Sequence, residues 1–122
     1  MAKSTIAKEN DEWNWFQNET CYIGSSPNLK NSPFIASFDM DDTIITRKSG
    51  AKFPQNADDW IFLNEKVSPM MKDLEKERFK IVIFTNQLGI EKGKTNINDI
   101  KKKVKNIAKA IGVEMQVFVA SS

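Results

Sequence analysis

Histidine is absent from these 122 residues, and cysteine occurs once. Without histidine the usual general base, Ser-His-Asp triads and most zinc sites are excluded. The single cysteine, Cys21, cannot close an internal disulfide, so a reducing intracellular compartment is expected. Six residues after it stands Pro27 rather than arginine, so the loop of cysteine-dependent phosphatases is missing. No apolar run approaches the roughly 20 residues that cross a bilayer. Met1 to Trp15 is polar and contains acids, without the apolar centre of a signal peptide.

What remains is an ordinary composition for one small domain: 40% hydrophobic, 28% charged, net charge +2. A chain this short buries only about two-thirds of its unfolded surface, so every element counts. Positive charge is concentrated in Lys92, Lys94, Lys101, Lys102, Lys103, Lys105 and Lys109. That local basic surface suits an anionic partner.

Residues 1–19 read as a polar extension with Trp13, Trp15 and Phe16 embedded, and residues 20–122 as the domain proper. Thr20 to Ile23 is a candidate strand. Gly24 to Pro33 is a loop by composition. Phe34 to Phe38 and Lys80 to Phe84 are short apolar runs, read as buried strands. Between them, Val67, Met70, Met71 and Leu74 recur at helical spacing, with Ser68 as cap and Pro69 in the first turn. Ile97, Ile100, Val104, Ile107, Ala108 and Ile111 form a second helical stripe, and Gly112 suits its end. The lysines between 101 and 109 are expected mostly opposite that stripe. Met115 to Val119 is a third strand. Alternating strands and helices imply right-handed crossovers, a parallel sheet and a site beyond the strands' carboxyl ends.

Asp39 and Asp41 follow the first strand. Side chains two apart in an extended segment face one way. Asp42 adds a third negative charge. Carboxylates so close repel, and a divalent cation resolves the conflict. Oxygen donors without histidine or cysteine favour magnesium. The matching chemistry is phosphoryl transfer: one aspartate attacks phosphorus, and the second serves as acid and then as base. Thr85 and Asn86 follow the neighbouring strand, where a hydroxyl and backbone amides can hold a phosphate oxygen.

Asp-x-Asp-x-Thr after one strand and Thr-Asn after the next resembles the haloacid dehalogenase superfamily. More narrowly, the chain resembles the polynucleotide kinase 3′-phosphatase family. The resembling residues include Phe38 to Ile45, Lys48 to Gly50, Lys52 to Pro54, Asp59-Trp60, Ile83 to Gln87, Gly89-Ile90, Gly93-Lys94, Gly112-Val113 and Val117 to Ala120. The resemblance implies a Rossmannoid three-layer α/β/α fold with a parallel sheet, lacking its last strands. It implies Asp39 as nucleophile and Mg2+ ligand. Asp41 would be the acid/base, with its backbone carbonyl on the metal. Thr43 would orient Asp41, and Thr85 would bind phosphate. Asn86, Phe53, Lys92 and Lys94 would contact substrate, Phe53 by narrowing the channel and the lysines beside the DNA backbone. The implied substrate is a DNA end bearing a 3′-phosphate. The implied setting is strand-break repair in the nucleus, with repair-complex proteins as partners and no membrane.

Two departures accompany the resemblance. Asp42 stands where glycine is common, a position asparagine or aspartate tolerates better than most. The family's later lysine and second acidic motif would fall beyond Ser122, so the expectation is an incomplete catalytic domain. Competing readings are a small-molecule phosphatase for sugar or amino-alcohol phosphates, and a non-catalytic nucleic-acid-binding module. A nucleotide-binding loop at Gly89 to Thr95 fails on spacing, because its first glycine would have to stand at Leu88. The expected outcome is that the 122-residue chain by itself turns over little 3′-phosphorylated oligonucleotide. Robust turnover that disappears in Asp39→Asn would overturn this.

Overall fold

The computed structural model describes residues 12–121; residues 1–11 and Ser122 lie outside the described residues. In chain order the elements are β1 (Asn14–Asn18), β2 (Cys21–Ser25), β3 (Ile35–Asp39), β4 (Ile45–Thr46) and β5 (Ile61–Phe62). Then come α1 (Val67–Lys76), β6 (Lys80–Asn86), the short α2 (Leu88–Glu91), α3 (Ile97–Ile111) and β7 (Gln116–Ala120). Five strands form one sheet in the order β1-β2-β7-β6-β3, and β4 and β5 form a separate two-stranded ribbon.

The expected parallel core is present. β3 pairs with β6 in parallel, and β6 with β7. The sheet as a whole is mixed, because β2 joins β7 antiparallel and β1 joins β2 antiparallel. Residues 14–18, read from sequence as part of a polar extension, are therefore a sheet strand. Their mixed polar sequence masks the signal, since β1 is an edge with exposed Asn14, Phe16, Gln17 and Asn18.

Both crossovers step the same way along the sheet, and a right-handed crossover then puts both long helices on one face. The core cluster bears this out. It joins Val67 and Met71 of α1 and Ile100, Val104, Ile107, Ala108 and Ile111 of α3 to Ile81, Ile83, Val117 and Val119 of the sheet. On the other face Phe84 stacks on Phe118 at 5.3 Å between ring centroids. No helix covers that face among the described residues, so two of the three expected layers are present.

Local chemistry explains the helix ends. Asn96 caps α3 by accepting from the Asn98 amide at 2.8 Å, and Gly112 ends it in the left-handed region at φ 85°. Helix α1 begins one residue before the expected Ser68 cap. The Asn64 side chain takes the Lys66 amide at 2.8 Å, and no side chain caps the helix itself. Gly24 of β2 pairs with Trp15 of β1. A Cβ there would stand 2.5 Å from the Trp15 ring. The indole thus lies flat over the glycine, and Lys101 of α3 sits 5.2 Å from the ring centroid.

Gly24→Ala should push Trp15 off β2 and lower stability by about 1–3 kcal/mol, as overpacking does. Chemical denaturation followed by indole fluorescence checks this; an unchanged midpoint and spectrum would contradict it.

Candidate active site

The chain leaves β3 through a closed loop. Met40 is 1% exposed. Its amide continues the ladder to the Phe84 carbonyl at 3.0 Å, and its carbonyl accepts the amides of Ile44 at 3.0 Å and Ile45 at 3.1 Å. With Met40 driven inward, Asp39 and Asp41 are left on the rim. Asp39 is exposed and Asp41 half-buried. Asp42 occupies the left-handed region at φ 62°, where the superfamily resemblance favours glycine. Its carboxylate accepts from Arg47 Nη1 at 2.9 Å and Thr46 Oγ1 at 3.2 Å, which holds the loop in that conformation.

Thr85 and Asn86 are the last two residues of β6 rather than its first loop residues. Thr85 is 6% exposed. Its hydroxyl donates to Asp41 Oδ2 at 3.4 Å and accepts from Gln87 Nε2 at 2.9 Å. Gln87 Nε2 also reaches Asp41 Oδ2 at 3.4 Å. Adjacent parallel strand ends thus bring Asp41 and Thr85 together. Thr43, expected to orient Asp41, is exposed and makes no hydrogen bond to it. The hydrogen bonds to the Asp41 carboxylate come from Thr85 and Gln87. Gln87 carried no distinguishing signal beyond its place after Thr-Asn.

Beside these carboxylates lies an open cleft of about 690 Å3. Phe53 to Ala57 form one wall; Asn86 to Gly89, Lys92, Lys94 and the start of α3 form the other. Phe53, Asn86, Lys92 and Lys94 therefore line one cleft. Phe53 is 71% exposed, with Lys52 Nζ 5.6 Å from its ring centroid. At Gly89 the carbonyl accepts the amides of Lys94 at 2.7 Å and Thr95 at 2.9 Å. The segment is folded on itself, and those amides are not offered to a nucleotide phosphate.

The cleft wall that carries Phe53 is held by Asp59. This buried carboxylate accepts from the Ser49 amide and hydroxyl, both at 2.7 Å, and from the Gln55 amide at 3.0 Å. The Ser49 hydroxyl, then the Gln55 and Ser49 amides, hold its pKa at about 2. Lys103 adds a smaller lowering influence through its charge. Read from sequence as part of a solvated basic face, it is 2% exposed and lines the cleft. Burial pushes its pKa down, the charges of Asp41 and Asp59 push it back up, and Arg47 lowers it. The signal was present in the sequence: position 103 falls inside the apolar stripe, three residues from Ile100 and one from Val104.

Asp39 and Asp41 offer oxygen donors only, the set a hard cation such as magnesium accepts while keeping several waters. Among the described residues no group of three or more acidic, histidine or cysteine side chains converges to hold a metal. The donors present fit such an ion as a two-residue site.

The family profile described as Polynucleotide kinase 3 phosphatase matches residues 34–122. A bifunctional polynucleotide phosphatase/kinase of Schizosaccharomyces pombe is 29% identical over 119 residues, covering 98% of this chain and 29% of that one. An uncharacterized 20.8 kDa protein of Autographa californica nuclear polyhedrosis virus is 40% identical over 86 residues, covering 70% and 46%. The polynucleotide 3′-phosphatase ZDP of Arabidopsis thaliana is 25% identical over 113 residues, covering 89% and 16%. The chain spans less than half the length of each of these relatives. A Mesorhizobium loti protein assigned as a had-like phosphatase shares the fold with TM-score 0.64 at 15% identity, covering 87% of this chain and 52% of that one.

Because Asp59 is held at about 2 against an ordinary value of 3.8, the folded chain keeps it ionised where the unfolded chain protonates. Its contribution is present above about pH 4 and lost as pH falls toward about 2. Asp59→Asn should lower stability at neutral pH and flatten the stability profile across that window. Urea midpoints measured from pH 2 to 7 test this; parallel profiles for the two proteins would refute it.

Proposed function

The chain belongs to the polynucleotide kinase 3 phosphatase family, and from that membership we infer that it carries the nucleophile-bearing part of a Mg2+-dependent 3′-phosphatase acting on DNA ends. One observation carries the reading. Asp39 and Asp41 flank the buried Met40 at the end of β3, and the end of the adjacent parallel strand presents Thr85 hydrogen-bonded to Asp41.

In this reading the Asp39 carboxylate, on an exposed residue and without a side-chain hydrogen bond among the described residues, attacks phosphorus. The bond to the departing 3′ oxygen breaks as the aspartyl phosphate forms. Asp41 donates a proton to that oxygen and then takes one from the water that hydrolyses the acyl phosphate. Thr85 and Gln87 hydrogen-bond the Asp41 carboxyl, and the Thr85 hydroxyl would also bind a phosphoryl oxygen. Asp39 and the Asp41 backbone carbonyl would hold magnesium, which when bound supplies positive charge against the phosphoryl oxygens.

The cleft supports a nucleic-acid substrate over a small phosphate ester. It is roomy, about 690 Å3, and is lined by Lys92 and Lys94 and by the exposed Phe53. Lysines there would contact backbone phosphates, and Phe53 would stack on a base or narrow the channel. The process served would be repair of strand breaks in the nucleus.

The test compares release of phosphate from a 3′-phosphorylated nick and from a sugar phosphate, using the protein expressed from its complete coding sequence. Turnover should require magnesium and favour the nick. Asp39→Asn should reduce it by about three orders of magnitude or more. Thr85→Ala should cost about 1.5–3 kcal/mol, roughly 10- to 150-fold in kcat/KM. Preference for the sugar phosphate, or full activity in Asp39→Asn, would sink the reading.

A further inference from the structure

Thr85 is buried at the end of β6, and its hydroxyl has one proton to give and two lone pairs to fill. Two side chains reach it. Gln87 Nε2 stands 2.9 Å from Thr85 Oγ1, and Asp41 Oδ2 stands 3.4 Å from it. The same Gln87 nitrogen is 3.4 Å from Asp41 Oδ2. An ionised carboxylate only accepts, so the end of the Gln87 amide beside it is the NH2 and not the carbonyl. That nitrogen has no lone pair to offer. It donates to Thr85 and fills one acceptor site of the hydroxyl. The hydroxyl proton is thereby turned away from Gln87 and toward Asp41.

The contacts differ in strength. A separation of 2.9 Å is an ordinary hydrogen bond, whereas 3.4 Å is long and weak. The bond that fixes Thr85 is therefore the one from Gln87. The bond from Thr85 to Asp41 is readily exchanged for a better acceptor. Gln87 itself is half-buried and starts from a fixed backbone. Its amide donates to the carbonyl of Ala120, the last residue of β7, at 2.7 Å. Its carbonyl accepts the Ile90 amide at 3.0 Å. One residue thus ties together the carboxyl ends of β7 and β6 and the loop after β3, which are neighbours in the sheet.

We propose that Gln87 is a positioning residue: its amide nitrogen holds the Thr85 hydroxyl as a committed donor, aimed at Asp41 in the free site and at a phosphoryl oxygen when substrate is bound. The aim at a phosphoryl oxygen rests on the phosphatase reading; the amide-to-hydroxyl bond does not. A side chain that only fills space is replaced well by an isostere, and a donor is not. Gln87→Met keeps the length and removes the donor. Gln87→Glu keeps the shape, but it offers acceptors to Thr85 and a negative charge to Asp41.

The side-chain amide signals of Gln87 in the 122-residue chain read the bond directly by NMR. They should exchange with water about tenfold or more slowly than those of Gln17, which is exposed on β1. Thr85→Val should remove most of that protection, and Thr85→Ser, which keeps the hydroxyl, should retain it. Exchange as fast as at Gln17 in the parent, or protection that survives Thr85→Val, would overturn the proposal. If Thr85→Val also frees the backbone amide of Ile83, the strand has loosened, and the parent signal and the order of the Gln87 variants decide. In the protein expressed from its complete coding sequence, Gln87→Met should lower kcat/KM on a 3′-phosphorylated nick about tenfold, and Gln87→Glu by more. Gln87→Glu matching or exceeding Gln87→Met would overturn the proposal. In a Thr85→Val background Gln87→Met should cost little more, and fully additive losses would overturn it too. A protected Gln87 amide in a parent without turnover would leave the amide-to-hydroxyl bond standing and sink the phosphatase reading, with the phosphoryl contact.

Discussion

The carbonyl of Met40 accepts two amides, its own amide extends the β3–β6 ladder, and its side chain is sealed in the core. This one residue closes the loop that follows β3. Because successive side chains alternate in an extended segment, burial of Met40 obliges Asp39 and Asp41 to stay at the rim. The carboxylates could not share a crevice if the loop were free to unwind. The left-handed backbone at Asp42 is part of the same closure, held by Arg47 and Thr46.

The second strand contributes through register. Asp39 lies opposite Phe84 in the parallel pair, so Thr85 and Gln87 emerge just beyond it. Their hydrogen bonds to Asp41 cross a sequence separation of more than forty residues. The cleft has a different anchor. Asp59 collects three hydrogen bonds from Ser49 and Gln55 and so gives shape to a segment whose only regular structure is the two short strands at its ends. Lysines on the opposite wall leave a surface whose charge suits a polyanion.

Arg47 pairs with Asp42 at 2.9 Å. Burial lowers the pKa of Lys103, and the charges of Asp41 and Asp59 oppose that shift. A buried lysine costs desolvation free energy, and opposite charges nearby offset it. The same arrangement explains why a residue that looks like surface decoration lies in the interior of the domain.

The sequence by itself determined the strand and helix alternation, the stripe on α3 with its Gly112 end, and the Asp39 to Thr43 cluster after a buried strand. Those features are local: periodicity and short-range backbone chemistry dictate them. Residues 14–18 escaped because an edge strand need not be apolar. Thr43 was expected beside Asp41 from the family resemblance; in the structure it is exposed. Only the tertiary structure decided that Gln87 and Thr85 bond to Asp41, that Asp59 binds Ser49 and Gln55, and that Lys103 is buried. Each depends on parallel register and on charges meeting across elements distant in the chain, and no local pattern encodes where those elements meet.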